Sequence, residues 1–272
     1  MDRVDWENLP DALYEAVHQQ LGPLAKVQAI AEGRRTALVA AAWTRSGDRL
    51  FLKGAPVASR AGEQLAREQA VAPYVAAIAP ELIAAVEAAG WRLLVFEYTD
   101  GVRGDYSPAS PDIPKVLDIL AELDRTEVPS EVPLICFEAR WSSYAPAGRE
   151  LPRLAGSAVL HTDLNPTNMR VGDTVCLVDW AAASRGARFV NPADFVVCLI
   201  ACGHTPHDAE AIAAALPAWQ DADSADIDYY ARTLSTAWLH AFWDRPHPWA
   251  KAIVTAAQRW VMHRRDLCLA AR

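Results

Sequence analysis

A chain of 272 residues, 52% of them hydrophobic, can bury a sizeable core and suits one bilobal domain or two small ones. Its net charge of −8, without a basic run, argues against a nucleic-acid backbone as partner, and no apolar stretch of about eighteen residues is present to span a membrane. Five cysteines, an odd number with no C-x-x-C pair, read as buried reduced thiols; with a polar, acidic Met1–Pro10 that carries no signal-peptide pattern, they point to a cytoplasmic protein.

Asp11–Leu21 carries an apolar stripe at Leu13, Ala16, Val17 and Leu21 and is stopped by Gly22-Pro23, which predicts a helix. Leu24–Ile30, Thr36–Trp43 and Arg49–Lys53 read as three strands of an antiparallel meander, the last ending in Lys53. Ala61–Val71 is helical, carries Glu63 and Glu68, and meets Pro73, a residue that breaks or kinks helices. Glu81–Val86 and Trp91–Glu97 form a hairpin around Ala88-Ala89-Gly90. The first hundred residues therefore read β-β-β-α-β-β.

Tyr98–Gly104 is a polar connector, and the chain beyond it is mostly helical, so the expected division is 1–97, a hinge at 98–104, and 105–272. Asp112–Thr126 is amphipathic, and Val128–Pro152 is a proline-punctuated insertion with short helices. Ala181–Asn191 is expected to be loop, and Pro192–Gly203 a buried helix. His207–Leu216, Ile227–Phe242 and Trp249–Ala271 complete the helical part.

Between the insertion and that loop, Leu160–Asp179 gathers His161, Asp163, Asn168 and Asp179. Val159–Leu160 is a short apolar approach, and Thr162–Asn168, broken by Pro166, is loop. Met169–Val171 and Val175–Val178 are strands joined at Gly172-Asp173, with Asp179 at the mouth of the hairpin. Two aspartates and an asparagine are hard oxygen ligands of the kind Mg²⁺ shares with substrate phosphates. The spacing H-x-D-x-x-x-x-N, with an aspartate eleven residues later, is that of a kinase catalytic loop and its metal-binding aspartate.

The strings His161-Thr-Asp163-Leu164-Asn-Pro-Thr-Asn168 and Val178-Asp179-Trp180 resemble the aminoglycoside phosphotransferase family, small-molecule kinases that read H-G-D-L-x-x-x-N and I-D-W. The resemblance implies an α+β, bilobal, protein-kinase-like fold. It further implies ATP (or GTP) as phosphoryl donor, Mg²⁺, and a small-molecule hydroxyl as acceptor, such as an antibiotic, amino alcohol or sugar. Asp163 would orient the acceptor hydroxyl and take its proton, His161 would brace the loop, and Asn168 and Asp179 would hold the metal. Lys53 would reach the phosphates and pair with Glu68 in preference to Glu63. Glu97-Tyr98 would meet the adenine, Phe96 would line its pocket, and Asp194 would support the catalytic loop from below.

Two departures stand out. Thr162 replaces the family's glycine, and the phosphate-covering loop holds one glycine, Gly33, followed by Arg34-Arg35. One competing reading is a nucleotide-binding module without catalysis. The other is a metallohydrolase using His161, Asp163, Asp179 and His204 or His207, which leaves Lys53 and Asn168 unexplained. His204 and His207 otherwise read as solvated loop histidines. Trp219, Trp238, Trp243, Trp249 and Trp260 read as helix packing, with one or two free to stack on an acceptor. Asp221, Asp223, Asp226 and Asp228 read as a helix cap, or as an attractant for an amine-bearing acceptor if they face the cleft.

Overall fold

A computed structural model of the chain describes residues 3–31, 36–145, 151–242 and 247–270. The elements in chain order begin α1(Asp11–Leu21), β1(Leu24–Ala29), β2(Leu38–Thr44), β3(Arg49–Pro56), α2(Arg60–Val75), β4(Leu82–Ala88), β5(Trp91–Glu97) and β6(Val102–Arg103). They continue α3(Asp112–Arg125), β7(Ile135–Cys136), α4(Phe137–Trp141), β8(Ala158–Leu160), β9(Met169–Val171), β10(Val175–Leu177) and β11(Ser184–Gly186). The last are α5(Val190–Ala201), α6(Pro206–Ala213), α7(Pro217–Gln220), α8(Ser224–Phe242) and α9(Pro248–Ala270). This is an α+β fold with two compact units, one of Met1–Asp100 with Cys176–Ala182, the other of Gly101–Val175 with Ala183–Arg272. Cys176–Ala182, expected from the sequence to stay with the residues on either side, clusters with the first unit.

In the first unit an antiparallel sheet of order β1-β2-β3-β5-β4 lies between two helices. Strand alternation decides which residue meets which helix. Leu50, Leu52, Leu93 and Val95 point to α1 and pack with its Leu13 and Val17. Leu94, Phe96 and Ala55 point to the other face and pack with Ala61 and Leu65 of α2. Lys53 has the parity of the second set, so its side chain runs toward α2. The β4–β5 turn places Ala89 at φ 48° and Gly90 at φ 76°, both left-handed, as a two-residue hairpin of this hand requires.

Two local features of α2 need explanation. The helix runs through Pro73, where a break or kink was expected, to Val75 without a break, because the proline falls in the last turn, where it removes one backbone bond, while Val71 and Val75 are buried and hold that turn. At its start, Ser59 caps it by accepting from the Gly62 N–H at 3.0 Å. Gly62 is there because a Cβ would sit 2.3 Å from the Pro56 carbonyl oxygen.

The second unit is built around α5, whose residues Val190–Ile200 are all buried. Ser184–Gly186, inside the stretch expected to be loop, is the strand β11, antiparallel to β8 and parallel to β7. Arg185 anchors it by donating to the carbonyls of Val128 and Pro129 at 2.9 and 2.7 Å. No helix among the described residues is long and apolar enough to cross a membrane. No disulfide joins the five cysteines; Cys198 is buried, but Cys136 and Cys268 are exposed, against the expectation of general burial.

Candidate active site

In the first unit the structure brings together Lys53, Glu68 and Asp179. Lys53 Nζ lies 2.7 Å from Glu68 Oε1 and 3.1 Å from Asp179 Oδ1. Lys53 is 8% and Glu68 3% exposed, whereas the Asp179 side chain is 48% exposed. Glu68, not Glu63, is the partner because the buried face of α2 runs Ala61, Leu65, Glu68, Val71, and Glu63 lies off it. The Trp180 N–H also donates to Glu68 Oε1 at 3.2 Å, tying the Asp179 turn to the helix, while Glu68 Oε2 is buried with no partner among the described residues. Asp179 itself sits at φ 69°, a left-handed backbone that aims its carboxylate at Lys53.

Burial alone would lower the Lys53 ammonium; the charges of Asp179 and Glu68 outweigh it and raise the group above its ordinary value. Burial pushes the Glu68 carboxyl up, Lys53 opposes that, and Asp179 adds to it. The Phe96 ring lies 5.9 Å from Lys53 Nζ. The N–H of Glu97 donates to the Glu81 carbonyl at 2.9 Å and that of Tyr98 to the Arg49 carbonyl at 3.2 Å. The Tyr98 ring is covered by the Arg49 guanidinium at 3.5 Å. Gly33 lies outside the described residues.

In the second unit the residues from His161 to Asn168 form a hydrogen-bonded set. His161 is fully buried, and its Nδ1 accepts from the Asp163 N–H at 3.3 Å. Asn168 Nδ2 donates to the Asp163 carbonyl at 2.8 Å, leaving its Oδ1 without a hydrogen-bond partner among the described residues. Asn165 Nδ2 donates to Asp163 Oδ1 at 2.6 Å, so Oδ2 is the carboxylate oxygen with no partner among them. Thr162 holds φ 63°, a left-handed conformation that costs a β-branched residue of order 1 kcal/mol or more and explains why glycine suits the position. Arg140 of α4 donates to its Oγ1 at 3.0 Å.

The brace that sequence reasoning placed at Asp194 belongs to Asn191, three residues earlier on α5. Asn191 Oδ1 accepts from the His161 N–H at 3.1 Å, and its Nδ2 donates to the Val159 carbonyl at 3.0 Å. Asp194 instead accepts from the Tyr230 hydroxyl and borders a pocket beside Asp163. That pocket is closed by Trp238 of α8, Trp249 of α9, Leu164 and Cys198, with Thr162 and Asn165 on the loop side. Burial pushes the Cys198 thiol well up, and the neighbouring Asp194 charge adds to this, so the thiol stays protonated.

Burial raises the Asp194 carboxyl from 3.8 to about 7, against the lowering effect of Tyr230 and Arg140. A native state that binds this proton more tightly than the unfolded chain gains stability below the unfolded value. That gain is lost as pH rises toward about 7. Asp194→Asn should flatten the melting temperature against pH over this range, and an unchanged slope in thermal melts would reject the assignment.

The remaining acidic and histidine residues have structural partners. Asp223 Oδ1 accepts from the Ala225 N–H at 2.7 Å as a helix cap, Asp226 pairs with Arg153, and Asp228 pairs with Arg264 at 2.6 Å. His204 is buried, not solvated, with Nε2 at 3.0 Å from the Tyr106 carbonyl; His207 is exposed, its ring 6.5 Å from that of His263. Among the described residues, no group of three or more His, Cys, Asp or Glu side chains is placed to hold a metal ion, which leaves the metallohydrolase reading without its ligand cluster. Trp243 lies outside the described residues.

No family profile matches the sequence, and no curated protein does. Solved structures do. An aminoglycoside phosphotransferase from Alicyclobacillus acidocaldarius superposes with a TM-score of 0.62 at 12% identity, covering 97% of each chain. A thermostable mutant of aminoglycoside phosphotransferase APH(4)-Ia, in ternary complex with ADP and hygromycin B, gives 0.57 at 12% identity over 91% of this chain and 97% of that one. The amicoumacin kinase hAmiN, in complex with AMP-PNP, Ca²⁺ and Ami, gives 0.57 at 12% identity over 88% of each. The likeness is one of fold, with little sequence in common.

Proposed function

We propose that this chain, which shares the α+β kinase-like fold of the aminoglycoside phosphotransferases, is an ATP-dependent phosphotransferase acting on the hydroxyl of a small molecule. The observation that carries the reading is the buried Lys53–Glu68 pair with Asp179 at 3.1 Å from the same ammonium. The sequence ends the strand at Lys53, but β3 runs on to Pro56, so the lysine lies within the sheet. A lysine buried between two carboxylates and held charged is placed to meet phosphate oxygens. The ADP, AMP-PNP and GDP complexes of the structural neighbours support a purine nucleotide as donor, ATP or GTP.

In this reaction the acceptor O–H is oriented by Asp163 Oδ2, the oxygen that Asn165 leaves open. As the acceptor oxygen bonds the γ-phosphorus, the bond to the β,γ-bridging oxygen breaks, the proton passes to Asp163, and ADP leaves. His161 acts through the loop: fully buried, it fixes the backbone of Asp163. Asn168 and Asp179 are the groups that would hold Mg²⁺. Their hard oxygens suit that ion, with Asn168 Oδ1 not used by its own hydrogen bond and the Asp179 carboxylate half exposed. When bound, the ion neutralises charge on the phosphate oxygens. Lys53 supplies the remaining fixed positive charge, and Phe96 an apolar face beside it.

Incubation with ATP, Mg²⁺ and a panel of small alcohols should give a product heavier by one phosphoryl group together with ADP, read by mass spectrometry. ATP binding with no phosphorylated product from any acceptor would leave only the nucleotide-binding module. Asp179→Ala should raise the Mg²⁺ concentration needed for half-maximal ATP binding by at least the roughly tenfold that loss of a mere outer-shell partner costs. A Mg²⁺ titration that superposes on wild type would remove Asp179 from the ligand set.

A further inference from the structure

Cys176–Ala182 clusters with the first unit although the residues on either side belong to the second, and three hydrogen bonds tie it there. The Leu177 N–H donates to the Ile78 carbonyl, just past the end of α2, at 2.7 Å. The Trp180 N–H donates to Glu68 Oε1 at 3.2 Å, and Arg67 Nη1 donates to the Ala181 carbonyl at 2.5 Å. Two consecutive residues of α2 therefore grip two consecutive residues of the Asp179 turn, one by its N–H and the other by its C=O. Glu68 is also bonded to Lys53, so the ion pair accounts for its presence. Arg67 has no such account. It is partly buried; burial lowers its guanidinium, and the charge of Glu63, one helical turn earlier, raises it. An arginine in that setting needs acceptors for its buried N–H groups, and the turn supplies one at the Ala181 carbonyl.

That carbonyl lies two residues beyond Asp179, whose backbone is left-handed at φ 69°. Outside glycine this region is sparsely populated and persists where the surroundings over-determine it. With the Trp180 N–H and the Ala181 C=O both held, the chain after Asp179 cannot turn freely, and the carboxylate stays 3.1 Å from Lys53 Nζ. We infer that Arg67 is a positioning residue: by holding the Ala181 carbonyl it keeps Asp179 in its left-handed turn and so sets the metal affinity of that carboxylate. The metal half of this rests on the phosphotransferase reading, in which Asp179 helps to hold Mg²⁺; the turn-holding half stands on the contacts alone. Residues that bond to a ligand or its segment commonly tune metal affinity, and losing one weakens it by about tenfold or more.

The test uses the full chain with ADP as the nucleotide. Arg67→Met keeps an unbranched stem and removes every donor. It should raise the Mg²⁺ concentration for half-maximal ADP binding by about tenfold, with ADP affinity in EDTA unchanged. Amide exchange over residues 178–182, followed by mass spectrometry without metal, should quicken severalfold. Arg67→Gln, shorter and neutral, gives the same reading if the methionine variant does not fold. Arg67→Lys keeps one donor group and should recover part of both effects. Asp179→Ala in the same titration separates this inference from the reading beneath it. A Mg²⁺ shift with Asp179→Ala but none with Arg67→Met would overturn the inference. Wild-type exchange in the turn would overturn it too, and a lower Tm beside it would mark Arg67 as merely structural. No Mg²⁺ shift with either variant, beside quickened exchange, would uphold Arg67 as the residue that holds the turn and sink the metal reading of Asp179 instead.

Discussion

Asp163→Ala should lower kcat by about a thousandfold, within the range expected for loss of a positioned proton acceptor, while ATP affinity stays near wild type. The separation comes from which groups touch which. Asp163 is bonded to Asn165, Asn168 and His161, all on its own loop, and none of these contacts involves Lys53 or Glu68. On the proposed mechanism the alanine removes the oxygen that would take the proton and leaves the lysine that would meet phosphate. Asp163→Asn is the sharper variant, since it keeps the shape of the side chain and loses only its basicity. Both should be measured by steady-state kinetics and by direct nucleotide titration. An Asn variant with wild-type kcat would show that proton removal is not what the residue contributes. A matched loss of kcat and nucleotide affinity would show that Asp163 acts by holding the nucleotide.

Legible from the amino acids alone was whatever depends on local period. The alternation of Leu50, Phe51, Leu52 and Lys53 fixes the strand and the face on which the lysine emerges. The spacing of Ala61, Leu65 and Glu68 fixes the helix face that meets it. The stretch from Thr162 to Asn168 was legible as a loop because its polar residues and Pro166 interrupt any strand or helix period. Contacts between residues far apart in the chain were not legible in this way. Asn191 braces His161 across thirty residues, and Tyr230 satisfies Asp194 across thirty-six, with nothing local in N-P-A-D-F to say which polar residue does which task. Ser184–Gly186 has no strand propensity of its own and becomes β11 only because β7 and β8 offer it partners. His204 departed from expectation for the same reason in reverse: a residue type usually solvated in loops yielded to the packing around it. Trp238 and Trp249 were visible as residues, but their convergence on one pocket depends on where α8 and α9 lie.

The Lys53–Glu68 pair offers a test in which stability and activity part company. Lys53→Met keeps the stem and removes the charge, leaving Glu68 buried with Asp179 beside it and no cation between them. Breaking a buried pair from one side costs about 3 kcal/mol or more, which for a chain of this size is a fall in Tm of roughly 6–12 °C. The deficit should depend on pH in a set direction. Burial and Asp179 already raise the Glu68 carboxyl, and loss of Lys53 removes the largest opposing influence. A carboxyl raised in the native state binds its proton more tightly folded than unfolded, so the variant should recover stability as pH falls and lose it as pH rises. Adding Glu68→Leu removes the stranded carboxyl, and a buried ion pair replaced by apolar groups of similar size is commonly neutral or better, so Lys53→Met/Glu68→Leu should regain most of the lost Tm. Turnover should not return in either variant, because the charge proposed to meet the phosphates is gone. Thermal melts across pH, run beside kcat measurements, read both halves. A double variant as unstable as Lys53→Met would mean the pair serves packing more than charge. A double variant that phosphorylates its acceptor at the wild-type rate would remove Lys53 from the reaction.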